Sequence, residues 1–368
     1  MLNPSRIEFA RTRRRWTKVR LAEELGVRSR TIQGYEAGEY EPEPERLAEL
    51  AELLRFPISF FFGPDLPKIS EHTASFRSMS KMSAALRDSA LNAGSLAFVL
   101  NHWIESRFSL PQAELPDLSD LSPEDAAATL RRMWGLGQAP ISNMIHLLES
   151  KGIRVYSLAI EAREVDAFSV WHENTPFVFL NTFKSAEHSR FDAGHELGHL
   201  VRDRYSMLHS RVHSPEKERE ANAFASAFLM PHDDVVARRP LLVTVPQLIK
   251  LKSYWGVSLA ALAYRMNSLG LVTEWTYRTL CIEIAKKGYR TTEPNPMLQE
   301  TSQMLGKVFD RLRREGIGRV EIANELSLTL DDLNALTFML TLSSVRGHET
   351  GEANVVSTSR SAKLRLVR

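Results

Sequence analysis

Apolar residues recur at helical spacing along most of this chain, and only one region has the short apolar runs that are typical of strands. Thr17 is placed to cap a helix, and Gly26 and Gly38 are placed to end helices. The pattern predicts strands at 153–158, 167–171 and 176–181. It predicts helices at 5–17, 18–25, 29–37, 47–54, 75–108, 123–134, 141–151, 191–201 and 218–229. The expected fold class is therefore mainly α with a small β-sheet (α+β).

The most informative stretch is a His-Glu-x-x-His sequence formed by His195, Glu196 and His199. On a helix, His195 and His199 are four positions apart, so both imidazoles lie on one face and can bind one Zn²⁺. Glu196 is then placed to accept a proton from water on the metal. The stretch predicts a catalytic zinc site with Glu196 as its general base.

A zinc site of this class needs a third protein ligand, and we expect it in the helix that follows. Glu218 and Asn222 are four positions apart and share a helix face, whereas Glu220 is two positions after Glu218 and lies on a different face. We therefore expect Glu218 as the ligand and Asn222 as a residue that supports it. Glu220 is the alternative ligand.

Composition limits the cellular setting. The chain has 368 residues, of which 43% are hydrophobic and 25% are charged, as in a globular protein of two or three domains. The sequence has no apolar run of membrane-spanning length and no signal-peptide core, so we expect neither a membrane span nor secretion. Cys281 is the only cysteine, which excludes a disulfide framework and a Cys-rich zinc module. We expect a cytoplasmic location.

Charge is distributed unevenly at the start of the chain. The formal net charge is only +2, but residues 1–30 are rich in arginine and residues 36–52 are acidic. A polarised first domain indicates a nucleic-acid-binding face. A solvated helix face is the alternative interpretation of the same charges.

Two short helices joined by a tight turn follow Thr17, and the second is free to enter a major groove. The pattern continues to about residue 63. Its most distinctive parts are Leu21-Ala22-Glu23-Glu24-Leu25-Gly26-Val27, Thr31-Ile32, Tyr35-Glu36-Ala37-Gly38 and Pro42. On these residues the region resembles the Xre-type helix-turn-helix family.

That resemblance implies binding to double-stranded operator DNA and a homodimer that reads paired half-sites. It implies DNA contacts by Lys18, Ser29, Arg30 and Gln33. Gly34 departs from the family pattern, because a longer reading side chain often stands there. Arg13, Arg14 and Arg15 are further candidates for phosphate contacts, with solubilising charge as the alternative. Some Xre-like modules bind proteins instead of DNA.

A second resemblance begins near residue 115. The stretches that carry it are Phe191-Asp192-Ala193-Gly194-His195-Glu196-Leu197-Gly198-His199-Leu200, Glu218-Arg219-Glu220-Ala221-Asn222-Ala223-Phe224-Ala225 and Phe228-Leu229-Met230-Pro231. On these residues the region is similar to the ImmA/IrrE family of zinc metallopeptidases. The resemblance implies a zincin-like domain in which His195, His199 and Glu218 bind Zn²⁺ and Glu196 is the base. It also implies a substrate, because family members cleave Xre-type repressors.

We therefore predict five segments: a helix-turn-helix domain (1–65), a helical connector (66–115), a metallopeptidase domain (116–295), a helical C-terminal region (296–345) and a disordered basic tail (346–368). The stretch 317–333 has a weak helix-turn-helix rhythm, and a plain helical pair on the peptidase surface is the favoured interpretation.

The expected function is a DNA-binding transcriptional regulator that carries a zinc-dependent endopeptidase and cleaves itself or another Xre-type repressor. The alternative is an antitoxin-like or sensor regulator whose zinc domain is structural or non-proteolytic. Several side chains near the motif are weaker candidates to stabilise a reaction oxyanion: Arg190, His188, Tyr205, His209, His213 and His232.

Overall fold

The computed structural model describes residues 1–70, 82–158, 167–204 and 214–341, together with the backbone of a short strand at 365–366. Within these residues the chain forms sixteen α-helices and a three-stranded sheet, which confirms the predicted α+β class. The helices are α1 Pro4–Arg13, α2 Lys18–Glu24, α3 Ser29–Ala37, α4 Pro44–Leu54, α5 Ala84–Glu105, α6 Pro123–Met133, α7 Met144–Ser150, α8 Ala186–Arg202, α9 Pro215–Leu229, α10 His232–Arg238, α11 Val245–Trp255, α12 Leu259–Ser268, α13 Glu274–Lys286, α14 Gln303–Arg314, α15 Arg319–Glu325 and α16 Leu330–Thr337. The strands are β1 Phe108–Ser109, β2 Arg154–Ser157, β3 Ala167–His172, β4 Thr175–Leu180 and β5 Arg365–Leu366.

Helices α1 to α4 form the first packing unit, and local signals define the ends of its two central helices. The Thr17 hydroxyl accepts a hydrogen bond from the Arg20 backbone N–H at the start of α2. Gly26 and Gly38 adopt left-handed φ values of 65° and 71°, so both turns close where the sequence predicts. Ile32 is fully buried and fixes α3 against the other helices.

The first helix is shorter than predicted. It ends at Arg13, and Arg15 adopts a left-handed φ of 60°. The Trp16 N–H donates to the Arg11 carbonyl at 3.0 Å and closes a turn after α1. The next residue, Thr17, has the extended backbone conformation of a helix cap and begins α2. The cap of the second helix therefore limits the length of the first.

Two of the three arginines proposed as phosphate contacts lie elsewhere. Arg13 and Arg14 both form ion pairs with Asp332 of α16, at 3.2 and 2.7 Å. Asp332 is only 2% exposed, so these guanidinium groups join the first helix to the C-terminal region. Arg15 remains exposed.

Helix α5 connects the first unit to the sheet. Most of the apolar side chains along it are buried, and Val99 is partly buried. The Asn92 amide donates to the Thr12 hydroxyl of α1 at 2.8 Å. At the other side, the Phe98 ring packs against Phe177 of the sheet with ring centroids 4.6 Å apart. The connector is therefore part of the core.

The three-stranded sheet has the order β2–β4–β3. Strand β2 pairs with β4 in parallel, and Val155 faces Val178 in the register. Strand β3 pairs with β4 antiparallel, and Ser169 faces Val178. Helix α8 packs against β3 and β4, so an edge strand lies beside the helix that carries the His-Glu-x-x-His sequence. Strands β1 and β5 form a separate antiparallel pair.

Buried carboxylates attach the C-terminal region to the middle of the chain. Glu149 of α7 accepts hydrogen bonds from the backbone N–H groups of Gln303 and Met304, at 3.0 and 2.9 Å. Burial raises the pKa of Glu149 to about 7. Glu300 forms a buried ion pair with Arg190 of α8. These contacts hold the start of α14 against α7 and α8.

Helices α15 and α16 form the pair predicted with a helix-turn-helix rhythm. Leu333 and Leu336 of α16 are buried, and α16 packs against β2 and α5. Its packed face is therefore closed to a DNA groove. The predicted tail, 346–368, lies outside the described residues apart from strand β5.

No helix among the described residues combines the length and the low polarity needed to cross a bilayer.

Candidate metal centre and nucleic-acid interface

Two helices, α8 and α9, supply the side chains of the candidate metal centre, and each has a serine cap at its N-terminus. The Ser185 hydroxyl caps α8 and the Ser214 hydroxyl caps α9, and each accepts a backbone N–H three residues on. Pro215 occupies the first turn of α9, where its missing N–H has no cost. Helices α8 and α9 then pack along each other, so residues of both face the same space.

The structure brings three of the predicted site residues together. One ligand atom from each of His195, His199 and Glu218 lies within 4.8 Å of the others. The Nε2 atoms of the two histidines are 3.1 Å apart. The Glu218 carboxylate oxygens lie 3.3 Å from His195 Nε2 and 3.4 Å from His199 Nε2. Both imidazoles are almost fully buried.

The chemistry of this donor set fits a divalent cation. His199 Nδ1 donates to Asp203, so its Nε2 is the ring nitrogen that faces His195 Nε2 and the Glu218 carboxylate. Such converging donor atoms in a buried site need a positive charge among them, which a divalent cation or a proton on an imidazole supplies. Nitrogen, nitrogen and oxygen from three residues are the ligands of a catalytic zinc site, which keeps a further position for water.

The electrostatics also favour a positive charge at the cluster. Burial lowers the pKa of His199, but the hydrogen bonds to Asp203 and Glu218 outweigh it and raise that pKa to about 10. Burial raises the pKa of Glu218, and the two histidines more than reverse this, so the carboxyl pKa lies well below its usual range. The cluster therefore holds its carboxylate ionised.

Asp203 is a site residue that the sequence analysis missed. Its Oδ2 accepts a hydrogen bond from His199 Nδ1 at 2.8 Å, and its Oδ1 lies 3.0 Å from the Lys217 ammonium. A carboxylate on the second ring nitrogen orients a metal-binding imidazole and raises its basicity. The signal was available, because Asp203 is four positions after His199 on the same helical face.

Glu196 lies beside the cluster and is only 1% exposed. The Ser169 hydroxyl of β3 donates to Glu196 Oε2 at 2.7 Å, which orients the carboxylate from the sheet side. Ser169 was also missed, because a small polar residue in a strand has no local signature of such a contact. The contact depends on the packing of α8 against β3.

The other two residues considered on α9 have different partners. Glu220 Oε2 lies 3.1 Å from Arg202 Nη1, so its carboxylate is directed away from the histidines. The Asn222 amide donates to the Glu218 backbone carbonyl at 2.7 Å and not to the Glu218 carboxylate. Asn222 Oδ1 is buried without a hydrogen-bond partner among the described residues.

The candidates for oxyanion stabilisation either have other partners or lie outside the described residues. Arg190 forms an ion pair with Glu300 and donates a hydrogen bond to the Ile141 carbonyl. His188 lies 3.6 Å from Asp192, and His232 lies 2.9 Å from Asp233. Tyr205, His209 and His213 lie outside the described residues.

The predicted DNA contacts form an open face on the first packing unit. Ser29, Arg30 and Gln33 of α3 are exposed in the full chain. Lys18 is half-exposed, and its ammonium lies 3.0 Å from the Glu36 carboxylate. Arg30 forms an exposed ion pair with Glu39 at 2.9 Å. All four residues are accessible to a partner, because none of them packs against another domain within the described part of the chain.

Two family models match the chain. The helix-turn-helix model matches residues 7–61. The model of the IrrE N-terminal-like domain, a peptidase family, matches residues 148–267. The chain joins a helix-turn-helix domain to an IrrE-like peptidase-family domain. The fusion that the sequence predicts is therefore confirmed. Comparison with curated protein sequences finds no match.

The matches agree with the position of both candidate sites. The helix-turn-helix domain contains Lys18 and the exposed face of α3, which supports DNA binding. The IrrE-like domain spans α8 and α9 with the His/His/Glu cluster, which makes it a metallopeptidase-type domain. Helices α14 to α16 lie beyond both matches.

Proposed function

We propose that this protein is a DNA-binding transcriptional regulator with a zinc-dependent endopeptidase domain, and that it cleaves itself or another Xre-type repressor to relieve repression. The observation that carries the proposal is the convergence of His195, His199 and Glu218 within 4.8 Å, beside a buried glutamate. Operator binding by the helix-turn-helix domain, as a homodimer, is the second part of the proposal.

The protein residues have distinct proposed roles. His195, His199 and Glu218 hold the metal, and Asp203 fixes the orientation of the His199 ring. When bound, Zn²⁺ acidifies a water molecule and polarises a peptide carbonyl. Glu196 accepts the proton of the attacking water and later donates it to the leaving amine. Ser169 keeps the Glu196 carboxylate in position.

The proposed substrate follows from the arrangement of the chain. The first domain belongs to the same class as the repressors that ImmA/IrrE-like peptidases cleave, so a second copy of this chain is a candidate substrate. Edge strand β3 lies beside α8, and an extended peptide can add to such an edge by main-chain hydrogen bonds. Cleavage between copies would release operator DNA.

The substitution Glu196→Gln tests the peptidase. We expect the variant to bind zinc like the wild type but to cleave candidate Xre-type repressors at least about 100-fold more slowly, because the general base is lost. Mass spectrometry of the fragments measures cleavage, and metal analysis measures zinc content. Glu216→Gln changes an exposed carboxylate of α9 and serves as the control that should retain full activity.

The outcomes separate the two candidate functions. Cleavage by E196Q at the wild-type rate would remove Glu196 from the mechanism. Zinc binding without cleavage of this chain or of any repressor by the wild type would instead support the antitoxin-like or sensor regulator with a non-proteolytic zinc domain. Operator binding is tested separately by a gel shift with the DNA upstream of the gene at several salt concentrations.

A further inference from the structure

Helix α3 has a gap in the middle of its exposed face. Arg30 and Gly34 are four positions apart, so Gly34 lies on the same side of the helix as Arg30 and next to Gln33. A glycine has no side chain with which to contact a base edge. Gly34 is nevertheless buried, although the residues around it on this face are exposed.

The side chain of Tyr40 covers that gap. A Cβ atom built on Gly34 would lie 2.5 Å from the Tyr40 hydroxyl oxygen and closer still to Cε1 and Cζ of the ring. The left-handed Gly38 makes this possible, because its φ of 71° ends α3 and turns the chain back over the helix. The Glu39 N–H then donates to the Gly34 carbonyl at 2.9 Å and closes the turn.

The Tyr40 ring is held in one orientation. It packs edge-on against Tyr35, with ring centroids 5.5 Å apart and an angle of 70° between the planes. Its hydroxyl lies 3.5 Å from the carbonyl oxygens of Arg30 and Thr31. The polar end of the side chain is therefore turned towards the helix backbone. Tyr40 as a whole nevertheless remains 44% exposed.

We infer that Tyr40 takes the place of the missing side chain at Gly34 and reads DNA sequence by apolar contact with the C5 methyl group of a thymine. This inference rests on the proposed operator binding. An apolar side chain distinguishes thymine from the other bases through that methyl group in the major groove. Arg30 and Gln33 are exposed on the same helix and supply the polar contacts of the proposed reading face.

The first experiment selects DNA duplexes from a random library with the full-length protein. The selected duplex is then resynthesised with deoxyuridine in place of each thymine in turn, which removes only the C5 methyl group. We expect one thymine in each half-site at which this replacement weakens binding of the wild type by about fivefold or more. If binding of the wild type is insensitive to methyl removal at every thymine, the inference is wrong.

Substitutions then connect that thymine to Tyr40. With Tyr40→Ala, thymine and deoxyuridine duplexes should bind equally, whereas Tyr40→Phe keeps the ring and should keep the preference. Gly34→Ala should abolish the preference as well, because its Cβ would displace the ring. Glu45→Ala is the control, since Glu45 is an exposed residue of α4 that is not among the predicted DNA contacts, and it should leave the thymine preference unchanged.

The results also distinguish this inference from the proposed function. A wild-type protein that binds no duplex in a salt-dependent manner would refute operator binding itself. A wild type that selects a sequence, together with Y40A and G34A variants that still prefer thymine to deoxyuridine, would overturn only the role of Tyr40. Circular dichroism of each variant confirms that the helices are intact.

Discussion

The choice of the third candidate ligand depends on the angular position of a single residue. Glu218 and Glu220 are two positions apart on α9, which places their side chains about 200° apart around the helix axis. Glu218 consequently reaches His195 and His199, while Glu220 reaches Arg202. The same residue type therefore has two roles, one of them at the surface.

Substitution of each glutamate separates these roles. We expect Glu218→Gln to weaken zinc binding by more than the roughly 10–100-fold that loss of an outer partner costs, because a charged donor is removed from the cluster. Glu220→Gln should leave zinc affinity unchanged and alter stability by less than about 0.5 kcal/mol, because the Arg202 pair is partly exposed. Competition with a chelating dye measures both affinities. Equal losses in the two variants would contradict the assignment of Glu218.

At the scale of the elements, the approach of α8 to α9 determines whether the cluster forms. Gly194 and Gly198 lie on the α8 face that meets α9. A Cβ at Gly198 would lie 3.0 Å from Phe224 Cδ1 and 3.4 Å from Ala221 Cα. A Cβ at Gly194 would meet its nearest neighbour, Ala225 Cβ, at an ordinary contact distance of 3.5 Å. The close approach is therefore concentrated at Gly198.

The two glycines provide a matched pair of alanine variants. Both substitutions gain the same helix propensity, so their difference reports the packing alone. We expect G198A to be less stable than G194A by about 1–3 kcal/mol, because the added methyl group overpacks the interface with Phe224. Urea denaturation followed by circular dichroism measures the free energy of unfolding of each variant. Equal stabilities would show that the Phe224 ring moves aside without cost.

At the scale of the whole molecule, buried ion pairs join parts of the chain that are far apart in sequence. Asp332 of α16 forms ion pairs with Arg13 at the end of α1 and with Arg14, which follows it, and Glu300 pairs with Arg190 of α8. Removing one partner of such a pair leaves a buried charge without compensation. The helix-turn-helix domain is therefore attached to the C-terminal region through charge as well as through the apolar contacts of α5.

Neutralising Asp332 tests this attachment. We expect Asp332→Asn to destabilise the protein by about 3 kcal/mol, because Arg13 and Arg14 lose their buried anion. Asp331 is exposed and lies in the same first turn of α16, so Asp331→Asn is the control and should change stability by less than about 0.5 kcal/mol. Thermal unfolding and limited proteolysis measure the effect. A stable, protease-resistant D332N would mean that the apolar contacts alone hold the two regions together.

The sequence alone determined the features that depend on neighbours in the chain. The helix start at Thr17, the turns at Gly26 and Gly38, and the common face of His195 and His199 follow from local geometry. The structure shows each of them. The two domain families could be predicted for the same reason, because their motifs are short and continuous. The prediction of Glu218 also needed only the period of a helix.

Only the tertiary structure decided the contacts between residues that are remote in sequence. Ser169 donates a hydrogen bond to Glu196 because β3 packs on α8. Asp332 forms ion pairs with Arg13 and Arg14, which the sequence alone suggested as contacts to DNA phosphates. Tyr40 covers Gly34 because the chain turns back over α3. Side-chain periodicity specifies which face of a helix is apolar, but it does not specify which distant surface will cover that face. That choice depends on the packing of the whole chain, and it determines the surroundings of both candidate sites.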